Sequence, residues 1–119
     1  MTVGTDIIEI ERIRRAALKT AFWDRILTEN EKECCRLRGD KIVFLAGRFA
    51  VKEAVMKSLG LGLGELSFKD IEVLNDKNGA PRLAKNQVIS AKMRDIGLNE
   101  IVVSISHSRD YAIAVAVGE

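Results

Sequence analysis

With 119 residues the chain is read as one domain, residues 1–119, long enough for a core of its own. Its 47% hydrophobic and 30% charged residues suit a folded soluble protein, and a net charge of +2 gives no argument for nucleic acid. No apolar run approaches a membrane span and the N-terminus lacks a basic-then-apolar signal pattern, so a cytoplasmic protein without membrane contact is expected.

Thr2 to Ile8 predicts a short strand with one carboxylate, Asp6, set among β-branched neighbours. A helix is predicted from about Glu9 to Lys19, with Ile10, Ile13 and Ala17 inward and Arg12, Arg15 and Lys19 lined up on the opposite side. Thr28-Glu-Asn-Glu31 reads as a capping box that opens a second helix to about Leu37, with Gly39 ending it. Cys34 and Cys35 are adjacent, which excludes an ordinary intrachain bridge and a spaced metal site. They read as small helix residues in a reducing compartment.

The chain is organised around the next element, a long helix that starts after Asp40 as N-cap and stops at Gly60. It is apolar nearly all round, and Ala46, Gly47, Ala50 and Ala54 form a stripe of small residues, so it should be buried. It nevertheless carries Arg48, Lys52, Glu53 and Lys57. Glu53 and Lys57, four residues apart, are either an ordinary intrahelical pair or groups with a purpose.

Gly60 to Gly64 predicts a flexible turn; it follows a helix where a nucleotide loop would link a strand to one. Leu66 to Leu74 reads as a strand, closed by the reverse turn Asn75 to Gly79, with Pro81 fixing the chain beyond. Asn86 caps a helix with Val88, Ile89, Met93 and Ile96 inward and Gly97 at its end. Ile101 to Ser106 and Tyr111 to Val117 alternate as two strands. Ile101, Val103, Ile105 and His107 are assigned to one face together with Tyr111, Ile113, Val115 and Val117. The other face then carries Ser104, Ser106 and the alanines 112, 114 and 116, small enough for the central helix to approach. Strands adjacent in sequence predict an α+β fold, an antiparallel sheet packed around one long central helix with additional short helices.

Taken singly, Asp6, Glu53 and His107 each have an unremarkable structural explanation. Together, two isolated carboxylates suit a hard cation such as magnesium, which takes few protein ligands and completes its shell with water and phosphate oxygens. Arg48, Lys52, Lys57 and His107 suit phosphate groups. The residue types therefore point to metal-assisted phosphate chemistry.

Four segments resemble one family. Gly4-Thr-Asp-Ile-Ile-Glu-Ile-Glu-Arg-Ile13, Phe44-Leu-Ala-Gly-Arg-Phe-Ala-Val-Lys-Glu-Ala-Val-Met-Lys57, Asn78-Gly-Ala-Pro81 and Val103-Ser-Ile-Ser-His107 are similar to the signature segments of bacterial holo-acyl-carrier-protein synthase, the small class of phosphopantetheinyl transferase. The likeness runs end to end and in order, and includes the closing Tyr111 to Ala116 strand. It implies magnesium-dependent transfer of the phosphopantetheine arm of coenzyme A to a serine of an apo acyl carrier protein, with release of adenosine 3′,5′-bisphosphate, in fatty acid biosynthesis. Carried over by position, it implies Asp6 and Glu53 as metal ligands; on physical grounds Glu53, or a metal-held water it orients, would take the proton of the serine, and Lys57 would stabilise or protonate the departing phosphate. Arg48, Lys52, Gly79, Pro81 and His107 would bind coenzyme A. It also implies a homotrimer with active sites shared between neighbouring chains. Because carriers of the family are acidic, Arg12, Arg15 and Lys19 are the expected docking stripe. Two other readings compete: a different metal-dependent phosphoryl transferase or hydrolase on these residues, and a non-catalytic module using the basic stripe.

Overall fold

Strands β1 (Thr2–Glu9) and β5 (Tyr111–Gly118) pair antiparallel along their full length, which brings the two ends of the chain together. β4 (Ile101–His107) flanks β5 on its other side, giving a three-stranded antiparallel sheet in the order β1-β5-β4. The computed structural model describes residues 1–62 and 64–119, so Leu63 of the predicted glycine-rich turn lies outside the described residues. Helices α1 (Ile10–Ala16), α2 (Thr20–Ile26), α3 (Glu29–Arg36) and α4 (Lys41–Ser58) follow β1. A second, two-stranded sheet of β2 (Glu72–Asn75) and β3 (Pro81–Ala84) and helix α5 (Gln87–Asp95) precede β4.

The central helix forms where its caps predict. Asp40 Oδ1 accepts from the amides of Ile42 and Val43, and Gly60 follows the helix with φ +70°. Its small-residue stripe is fully used: Ala46, Ala50 and Ala54 are buried, as are Ala112, Ala114 and Ala116 of β5. The approach is so close that a Cβ on Gly4 would lie 1.9 Å from the Ala54 carbonyl oxygen. Glycine is required there because backbone meets backbone.

Several elements depart from the sequence reading, each for a local reason. The first helix ends at Ala16, and Trp23 Nε1 donates to the Ala17 carbonyl (2.8 Å), so the chain restarts as α2. That helix, unpredicted, buries Ile26. The stretch 66–74 is not one strand. Ser67 and Asp70 form a capping box that winds Phe68–Asp70 into a 3₁₀ turn, a side-chain bond winning over the sheet ladder. β3 was also unpredicted, since Pro81 at its start masks a four-residue strand. On α5 only Ile89 and Met93 are buried; Val88 and Ile96 are exposed.

The faces of the last hairpin are also corrected. His107 pairs with Ala112, so odd residues of β4 oppose even residues of β5. Val103, Ile105 and His107 therefore share the helix-facing side with the alanines. Tyr111, Ile113, Val115 and Val117 lie on the outer side with Ser104 and Ser106. The turn length sets this register, and one residue of slip exchanges the faces. Val3 and Ile7 of β1 join the outer side, where they are 64% and 61% exposed, beside the exposed Tyr111 and Ile113.

Candidate active site

Helix α4 carries charges on two flanks. Arg48 and Glu53 are five residues apart, which turns their side chains about 140° from each other around the axis. The sheet-facing alanines lie between them.

On one flank, Glu53 and Lys57 meet Asp6 at the β1 edge of the sheet. Asp6 pairs in register with the buried Ala114, so its carboxylate turns toward α4. Lys57 Nζ lies 3.3 Å from Asp6 Oδ1 and donates to the Thr5 carbonyl (2.9 Å). The other oxygen, Oδ2, is buried and has no partner among the described residues. Desolvation raises the Asp6 pKa, with the bond and charge of Lys57 opposing it. Desolvation also raises that of Glu53, next helped by the negative charge of Asp6 and opposed by Lys57. Glu53 makes no ion pair among the described residues, so the intrahelical pairing with Lys57 gives way to a cross-element one.

An orphaned buried carboxylate oxygen beside a second carboxylate, both resisting ionisation, is what a site for a hard divalent cation presents. Asp6 and Glu53 fit as two oxygen ligands. The described residues offer no cluster of three or more Asp, Glu, His or Cys. That donor set suits magnesium, which keeps water and phosphate oxygens in its shell.

On the other flank a cleft of about 280 Å³ opens between α4, the β2–β3 hairpin and the end of β4. Its walls include Arg48, Gly79, Pro81 and His107, four of the five predicted coenzyme-binding residues. Arg48 is held rigidly: its Nη2 donates to Asn75 Oδ1 (2.6 Å) and its guanidinium sits 4.4 Å from the Phe44 ring centroid. Its Nε is buried with no partner among the described residues. Gly79 takes φ +87°, a conformation that favours glycine, and its carbonyl accepts from Asn75 Nδ2. Asn75 and Arg38, which also line the cleft, were missed. Asn75 read only as a turn former, and Arg38 carried no motif.

Lys52, the fifth, is elsewhere. It is fully buried, donating to the Ile26 carbonyl (2.6 Å) and to Glu31 Oε1 (2.5 Å), and burial lowers its pKa. Its ammonium is spent inside the protein and does not line the cleft. Arg12 and Arg15 are exposed on α1 as expected, but Lys19 lies beyond that helix as the N-cap residue of α2. The predicted three-residue stripe is thus a two-residue stripe with a lysine beside it.

Such a pair of half-sites around one buried helix defines a class. The chain belongs to the 4′-phosphopantetheinyl transferase superfamily, whose sequence pattern matches residues 2–116. Within it the chain is similar to holo-acyl-carrier-protein synthases. One from Geobacillus sp. (strain WCH70) is 46% identical over 98% of this chain and 94% of its own. The crystal structure of the Neisseria meningitidis synthase superposes with a TM-score of 0.90 at 34% identity, covering 99% of this chain and 97% of that one. The Helicobacter pylori synthase, solved in complex with coenzyme A, gives 0.86 at 36% identity, covering 98% and 99%.

Proposed function

We propose that this chain is the transferase that moves the phosphopantetheine arm of coenzyme A onto a serine of an apo acyl carrier protein, releasing adenosine 3′,5′-bisphosphate and serving fatty acid biosynthesis. The observation that carries this is that one helix of a superfamily member bears both the Asp6–Glu53–Lys57 cluster and, on its other flank, the Arg48–His107 cleft.

The chemistry follows from the side chains. Arg48, fixed by Asn75 and stacked on Phe44, presents its guanidinium to a phosphate of the nucleotide end, with His107, Gly79 and Pro81 shaping the cleft. Asp6 and Glu53 would hold magnesium, which when bound neutralises charge on the pyrophosphate. Lys57 stands beside Asp6 and stabilises the departing phosphate. Glu53 in its ionised form, made a stronger base by desolvation, takes the proton of the carrier serine, directly or through a water.

The two half-sites sit on opposite flanks of α4 and at opposite edges of the sheet, two strand spacings or about 10 Å apart. We propose that they are joined between copies, the carboxylates of one chain facing the cleft of its neighbour in a homotrimer. The exposed apolar outer face around Val3, Ile7, Tyr111 and Ile113 supplies the surface for that contact. Among the described residues no helix is long and apolar enough to cross a membrane, in keeping with action in the cytoplasm.

The test is to incubate the protein with coenzyme A, magnesium and apo carrier and to follow adenosine 3′,5′-bisphosphate. Release that requires the carrier is expected. Release without carrier would mark a hydrolase instead.

A further inference from the structure

We infer that the buried pair Glu31–Lys52 is a positioning device for the cleft: it clamps the β2–β3 hairpin onto α4 and so fixes the wall that Asn75, Gly79 and Pro81 present. In its consequence for coenzyme A this rests on the function proposed above.

Glu31 and Lys52 are both fully buried. The Glu31 carboxylate accepts from Lys52 Nζ (2.5 Å) and Thr28 N (2.9 Å) at Oε1, and from Val73 N (2.9 Å) at Oε2. Val73 lies in β2, two residues before Asn75, which accepts from Arg48. Arg48 and Lys52 are one turn apart on α4. The same helix therefore grips the hairpin twice, through Asn75 directly and through Glu31 at Val73. A second bond, from Thr28 Oγ1 to Glu72, ties the start of α3 to the same strand. β2 and β3 are only four residues long and among the described residues pair with no other strand, and a two-stranded ribbon has little stability of its own. Buried ion pairs seldom add stability over apolar residues of similar volume, so one whose carboxylate also accepts from a strand amide is better explained by the strand it orients.

The test compares Glu31→Leu/Lys52→Met with wild type. Removing both charges together keeps the core filled while deleting the acceptor for Val73 N–H. The variant is expected to fold, to exchange the Val73 amide proton at least about tenfold faster, and to raise KM for coenzyme A about tenfold with the carrier KM unchanged. Glu31→Gln/Lys52→Met, which restores an acceptor oxygen, should recover the coenzyme KM, a rescue that a merely structural role does not predict. Unchanged Val73 exchange and unchanged coenzyme KM in a folded variant would overturn the inference. If the variant does not fold, wild type decides: saturating coenzyme A should slow Val73 exchange, and no slowing would overturn it. A wild type that binds no coenzyme A would refute the proposed function, whereas the Val73 exchange of the variant would still report on the clamp.

Discussion

Lys57 Nζ reaches across from α4 to Asp6 on β1, 3.3 Å from Oδ1, and leaves Glu53, one turn before it on its own helix, without an ion partner among the described residues. One ammonium thus pairs with one of two carboxylates that repel each other. Two neighbouring carboxylates with one paired ammonium make this cluster sensitive to pH and to divalent cations.

Asp6 and Glu53 have pKa values raised in the folded protein above 3.8 and 4.5, so the native state holds protons more readily than the unfolded one. Their contribution to stability in the absence of metal should therefore be fully present at and below those ordinary values and be lost as pH rises through the raised ones, while Asp24 and Asp76, held below 3.8 by Lys32 and by the Ala80 amide, act in the opposite sense. Thermal melts in chelator from pH 4 to 8 should show wild type losing stability relative to Asp6→Asn/Glu53→Gln, and millimolar magnesium should reverse that loss at the upper end. Glu53→Gln should melt at or above wild type in chelator at pH 7.5 and gain nothing from magnesium. Its transfer rate should drop on the order of 10²-fold or more, about 2.7 kcal/mol in the barrier.

Arg48 is held in a fixed frame by its bond to Asn75 and its contact with the Phe44 ring, a planar geometry that lysine does not reproduce. Arg48→Lys should raise KM for coenzyme A roughly 10- to 100-fold, as expected for a charged hydrogen bond worth about 1.5–3 kcal/mol. The carrier KM should stay put. Steady-state kinetics with each substrate varied separates the two.

Gly4→Ala tests the packing that sets Asp6 beside α4. Its Cβ would meet the Ala54 carbonyl oxygen at 1.9 Å, so one backbone must shift against the other. A loss of about 2 kcal/mol is expected from overpacking, lowering Tm by roughly 8 °C. A melt unchanged within 2 °C, roughly 0.5 kcal/mol, would show that β1 and α4 are less tightly seated.

Arg12 and Arg15 are exposed and enter no ion pair among the described residues. Arg12→Glu with Arg15→Glu should raise the carrier KM about one to two orders of magnitude while coenzyme KM holds, and salt should weaken wild type more than the variant. Lys19, off the helix, should contribute less: Lys19→Glu alone is expected to change the carrier KM no more than about threefold.

The sequence was most legible where local chemistry and global packing agree. Asp40, the Thr28–Glu31 capping box and the alanine stripe of α4 each predicted what formed. It was least legible where a contact distant in sequence decides. Lys52 resembles a phosphate ligand until Glu31, 21 residues earlier, is seen to hold it. The faces of β4 and β5 depended on a register fixed by the Ser108–Asp110 turn, which alternation alone does not reveal. Asp6 and Glu53 were found by chemical type and resemblance, while the flank separating them from Arg48 and His107 needed the fold.

That separation makes the shared site the central claim, and mixing two inactive variants tests it. Glu53→Ala keeps the cleft and loses the carboxylate; Arg48→Ala keeps the carboxylates and loses the guanidinium of the cleft. Each alone should be nearly inactive. Co-refolded at equal amounts, a closed ring in which each site takes one half from either neighbour should regain about a quarter of wild-type transfer, measured as phosphopantetheine mass on the carrier serine. Activity no greater than the sum of the two variants alone would contradict a site built from two chains.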